Sequence, residues 1–141
     1  ELMLKQKVIN ENLEDYIIIN GRLSDKKLSE LYKNSDLFIL AHRMLDNGDT
    51  EGSPITFAEA GFYGLPSIGG INSGASTIID NNQTGLIIDM KNKELIKDSI
   101  RKLFKDRNLM QSMGKAAQKK ILFEHTPKKI GKSFEMVLND L

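Results

Sequence analysis

The sequence predicts an α/β fold, a parallel sheet with flanking helices, and two observations carry that expectation. Four short apolar runs, "YIII" (16–19), "DLFILA" (36–41), "PSIGG" (66–70) and "GLIID" (85–89), have the length of buried strands and are far too short to span a membrane. Segments with helical apolar spacing separate and follow them. Strands that alternate with helices imply βαβ units and right-handed crossovers.

Taken in order, Leu2, Leu4, Val8, Ile9 and Leu13 predict a helix over 2–13. "YIII" reads as a buried strand with a tight exit at Asn20-Gly21. Ser24 suits the cap of the next helix, with Asp25 in its first turn and Leu28, Leu31 and Tyr32 as its apolar stripe. The strand at 36–41 leads through the polar loop "HRMLDNGDTEG" to a helix over 54–63, capped by Ser53 with Pro54 at the first helical position. A strand at 66–70, a short helix over 74–80 and a strand at 85–89 follow. The remainder reads as helices over 92–104 behind Asn92, over 107–124, and over 127–139 with Thr126 as cap. We expect one domain over 1–141, with 107–141 as a helical tail.

Composition narrows the function classes. With 141 residues, 40% hydrophobic and 28% charged, the chain has the make-up of a globular protein with a core. Zero cysteines exclude disulfides, thiolate zinc sites and thiol catalysis together. The first residues lack the layout of a signal peptide, so the expected setting is cytoplasmic, with a peripheral position at the inner membrane face as an extension. Residue 1 is not Met, from which we expect the chain to be cut from something longer. Charge is uneven: residues 1–90 hold 7 Lys/Arg against 13 Asp/Glu, net −6, and residues 91–141 hold 13 against 6, net +7. Either the lysines solubilise surface helices or they form a basic face for phosphates, anionic lipid or an acidic partner.

The stretch "EGSPITFAEAGFYGLP" (51–66) carries the chemistry. Ligands of parallel sheets collect beyond the carboxyl ends of the strands, and the loop before Glu59 follows such an end. A helix N-terminus offers about four unpaired N–H groups and about half a positive charge, so "GSPIT" is a seat for an anion. A diphosphate suits it. Gly52 lets a ligand approach the backbone. Glu59 stands among Ala58, Ala60 and Phe62, where an ionised carboxylate is costly unless it accepts hydrogen bonds. The vicinal hydroxyls of a ribose would supply them, and Glu51 could do the same for a second sugar. The competing reading has Glu59 pointing to water and Glu51 as an ordinary loop acid.

In this context the chain resembles the C-terminal half of GT-B fold glycosyltransferases, the family 4 (group 1) retaining enzymes. The likeness runs through "IIINGRLSDKKLSELYKNSDLFILAHR", "DTEGSPITFAEAGFYGLPSIGG" and "NSGASTIIDNNQTGLIID" into the tail. It implies a Rossmann-like sheet and a nucleotide-diphosphate sugar held by the two glutamates. By position, Glu51 is the catalytic-side residue against hydroxyls of the donor sugar, and Glu59 the ribose ligand. The backbone of Gly52, Ser53, Pro54, Ile55 and Thr56 would face the sugar and diphosphate, and Arg22 and Leu23 would border the base. No metal and no separate cofactor is expected. The implied partners are the sugar donor and an acceptor-binding N-terminal domain of the same enzyme. An anionic membrane surface is a further candidate partner; nucleic acid is not expected, because the lysines do not interleave with aromatics.

The chain departs from the family pattern in three places. The first strands of the domain, with the Arg and Lys that neutralise the diphosphate, have no counterpart in this sequence. Their absence would leave an unpaired sheet edge open to homodimer formation and the chain inactive alone. Thr77 stands where the family often has Glu, and "FEHTP" replaces a common aromatic. His42 and His125 read as a loop and a helix-end histidine, and Arg43 as a loop residue. Asp46, Asp49 and Glu51 lack the order of a calcium loop. "GGINSGAS" lacks the spacing of a dinucleotide fingerprint. Three rival readings remain: a non-catalytic nucleotide module, a nucleotide-sugar epimerase of the same architecture, and a flavodoxin-like regulatory domain, which should carry an acidic cluster at its first strand.

Overall fold

The computed structural model describes residues 1–41 and 54–124. The chain forms two compact units, Glu1–Lys33 and Asn34 onward.

The first unit holds α1 (Leu2–Asn10) and α2 (Asp25–Lys33). No residue of α1 is buried, and Leu2, Met3, Leu4 and Ile9 are exposed. A Glu1–Lys5 pair at 2.6 Å spans its first turn. The helix ends where Asn12 turns to φ 53, after Glu11 N–H has bonded Lys7 O at 3.1 Å. In α2, Asp25 occupies the first turn and Tyr32 is the buried residue. The expected strand at 16–19 is absent: "YIII" has no ladder, and Tyr16 and Ile18 are 83% and 81% exposed. Its apolar, β-branched character is real, but a strand exists only against a neighbour that takes its N–H and C=O groups. No described segment does so.

The second unit is built on a parallel sheet of β1 (Phe38–Leu40), β2 (Ser67–Gly70) and β3 (Gly85–Ile88), in the order β1-β2-β3. Ile39 lies opposite Ile68, and Ile68 opposite Leu86. Successive side chains point to opposite faces, and both faces are covered. On one, Phe57, Ala75, Ile78, Ile79 and Ile121 form a cluster that takes in Phe38, Leu40 and Ile87. On the other, Ile68 and Leu86 pack with Leu103, Met110 and Met113.

The helices supplying these layers are α3 (Ile55–Phe62), α4 (Lys93–Lys105) and α5 (Arg107–Glu124), with a 3-10 turn at Gly74–Thr77. Asn92 caps α4 as expected, its Oδ1 accepting from Leu95 N–H at 3.0 Å. The expected short helix over 74–80 shrinks to the 3-10 turn, because Ile78 and Ile79 are drawn into the core. At α3 the structure corrects the cap: Pro54, extended at φ −65 and ψ 109, occupies the N-cap position, so helical geometry starts at Ile55. Gly64, at φ +78, stops the helix. α5 crosses α3 where Gly114 meets the Gly64 carbonyl; a Cβ on Gly114 would lie 2.1 Å from that oxygen. The helix over 127–139 lies outside the described residues.

Candidate functional site

The connection from β1 to α3 leaves the sheet at its carboxyl edge, where the 3-10 turn after β2 and Asp89 after β3 also lie. α3 therefore starts at the edge where a parallel sheet takes its ligand. Its first intrahelical bond runs from Phe57 N–H to Pro54 O at 3.1 Å, so the amides of Ile55 and Thr56 precede the ladder. No acidic side chain occupies this turn. The Thr56 hydroxyl is buried and has no hydrogen-bond partner among the described residues.

Helical spacing places Ile55, Glu59 and Phe62 on one face of α3, opposite Phe57, Ala60 and Gly61. The latter three are buried, whereas Ile55 is 71% exposed and Phe62 50%. Glu59 is half-buried on this outward face, about one turn from the free amides. The carboxylate is thus not enclosed in the core, although its surroundings on the helix are apolar. Of the other expected site residues, Pro54, Ile55 and Thr56 form the helix start, while Glu51, Gly52 and Ser53 lie outside the described residues, as do His42, Arg43, Asp46, Asp49 and His125. Arg22 (exposed) and Leu23 (half-buried) follow Gly21, at φ 61, in the first unit.

The turn after β2 is held from within. Ser73 Oγ donates to Gly70 O at 2.7 Å and accepts from Ala75 N–H at 3.3 Å. Thr77 Oγ1 donates to Gly74 O at 2.7 Å, which commits that hydroxyl to the turn itself. Just beyond, Asp80 meets Lys120 Nζ of α5 at 2.7 Å, and its N–H donates to Thr84 Oγ1 at 2.8 Å. The Lys120 side chain is 13% exposed, so this ion pair pins the loop to α5 from a largely covered position. Sequence reasoning missed both the pin and the unpartnered Thr56 hydroxyl. The pin joins positions 40 residues apart with no pattern to mark them. The Thr56 hydroxyl was legible in type, since a Thr in a first turn has no helical carbonyl four residues back.

A family profile described as Glycosyl transferases group 1 matches residues 1–120. Among curated relatives, the GDP-mannose-dependent alpha-(1-6)-phosphatidylinositol monomannoside mannosyltransferase of Mycobacterium tuberculosis is 30% identical over 105 residues, covering 74% of this chain and 27% of the relative. The mannosylfructose-phosphate synthase of Agrobacterium fabrum is 30% identical over 106 residues, covering 75% and 22%. The matched part is thus about a quarter of each of these relatives. Among solved structures, Anabaena HepE in complex with UDP-glucose superposes with a TM-score of 0.80 at 17% identity, over 99% of this chain and 36% of that one. The C-terminal domain of the group 1 glycosyl transferase LpcC from Francisella tularensis gives a TM-score of 0.73 at 20% identity, over 89% and 62%. These structures share the GT-B architecture of the resemblance.

Proposed function

Because this chain belongs to the group 1 glycosyl transferases, we propose that it is the donor-binding part of an enzyme that transfers a sugar from a nucleotide-diphosphate sugar to an acceptor hydroxyl with retention. The observation that carries the reading is the start of α3 at the carboxyl edge of the sheet, with two amides ahead of the helical ladder, an unpartnered Thr56 hydroxyl and Glu59 one turn further on. In this reading the Ile55 and Thr56 amides hold the diphosphate, which leaves with the electron pair of the anomeric C–O bond. Positive potential at the helix start stabilises the charge that develops there. Glu59 accepts hydrogen bonds from the ribose hydroxyls, and Glu51 from those of the transferred sugar. This side of the enzyme positions the donor and supplies no base; the acceptor comes from a further domain of the full-length protein.

Two relatives support a nucleotide-sugar donor: the mycobacterial enzyme is named as GDP-mannose-dependent, and the Anabaena structure contains UDP-glucose. The test is incubation of the full-length protein with UDP-, GDP- and ADP-linked hexoses and a panel of acceptors. Release of one nucleoside diphosphate with an axial-to-axial product, read by NMR of the anomeric proton, is expected. An inverted product would contradict retention, and no release from any donor would contradict the transferase reading.

A further inference from the structure

Asn20 and Gly21 stand apart from every other asparagine pair in the first unit. Both are exposed, neither belongs to a helix or strand, and neither makes a hydrogen bond among the described residues. Among the described residues no strand pairs with the "YIII" run ahead of them, so none of these restrains the backbone at Asn20. Asn10 and Asn12 provide the contrast. The next amide after Asn10, Glu11 N–H, is tied to Lys7 O at 3.1 Å, and the next after Asn12, Leu13 N–H, to Val8 O at 3.0 Å. Asn10 Oδ1 also accepts from Gln6 Nε2 at 3.0 Å. Both following residues carry a side chain that crowds the amide nitrogen, whereas Gly21 has none.

From this contrast we propose that Asn20-Gly21 is a site of spontaneous deamidation in the native fold. The Gly21 amide nitrogen attacks Asn20 Cγ, forming an N–Cγ bond and a succinimide ring. The Cγ–Nδ2 bond breaks, and ammonia leaves with the proton lost from Gly21 N. Water then opens the ring at one carbonyl or the other, giving aspartate or isoaspartate. No oxidant or reductant takes part. The product carries a new negative charge two residues before Arg22's own side chain, and the isoaspartyl form lengthens the backbone at this turn.

The experiment is a time course on the folded full-length protein at mildly alkaline pH, beside the same protein in urea. Trypsin, cutting after Lys7 and Arg22, yields one peptide that holds Asn10, Asn12 and Asn20; the other Asn-Gly pair, Asn47-Gly48, falls on a different peptide. Fragment masses assign the deamidation gain to each asparagine. The expected result is a gain at Asn20 in the folded protein at a rate within a few-fold of that in urea, with Asn10 and Asn12 unchanged. Protection of Asn20 in the folded protein to the level of Asn10 would overturn the proposal, as would equal rates at all three.

Discussion

At Glu59 the energetics turn on what the carboxylate accepts. It sits half-buried on the outward face of α3, and the reading assigns it to ribose hydroxyls. Hydrogen bonds to a charged group contribute about 1.5–3 kcal/mol, so Glu59→Ala should weaken nucleotide affinity roughly tenfold to a hundredfold while leaving the fold intact. Unchanged affinity in a folded variant, read by titration, would remove the ribose assignment. Thr56 permits a sharper contrast. Its buried hydroxyl has no partner, so Thr56→Val should leave the unliganded protein as stable or more stable, by about 1 kcal/mol. If a phosphate oxygen is the missing partner, the same variant binds nucleoside diphosphates more weakly. Thermal midpoints with and without nucleotide separate the two effects. Glu59 and the free amides were legible because each is a local property of one helix start. The Ser53-Pro54 cap was misread by one position: a proline φ near −65 fits both a first helical residue and an extended cap, and ψ alone distinguishes them.

Helix termini marked by one side chain were easy to place, and elements that depend on a distant partner were not. α4 starts behind Asn92, as its cap indicates, and ends at Lys105, one residue beyond the expected 104. Asn92→Ala should cost about 1 kcal/mol of stability, visible as a lower unfolding midpoint. "YIII" has the composition of a strand but no strand neighbour among the described residues, so composition alone misleads there. Hydrogen exchange should show the contrast: the central strand β2, buried throughout, exchanges slowest, and 16–19 exchange fast. Equal protection in the full-length protein would mean that a ladder partner comes from elsewhere in it. The α3–α5 crossing is another long-range feature. Gly114→Ala drives a Cβ into the Gly64 carbonyl, an overpacking cost of about 3 kcal/mol against about 1 kcal/mol of helix propensity regained. A net loss of about 2 kcal/mol in denaturant unfolding is expected.

Across the whole molecule, the alternation of apolar runs and amphipathic segments sufficed for the α/β class, because both faces of the β1-β2-β3 sheet need covering and the helices provide it. Among the described residues, no helix is long and apolar enough to cross a membrane. The architecture places the start of α3 at the sheet's carboxyl edge, and membership of the group 1 glycosyl transferases makes a sugar nucleotide the ligand to test there. The most direct test is a calorimetric titration of the full-length protein with UDP, GDP and ADP. Saturable binding of one of them at a single site is the predicted result, with the preferred base naming the donor class. No heat of binding from any of the three, in a protein shown to be folded, would contradict the donor-site account.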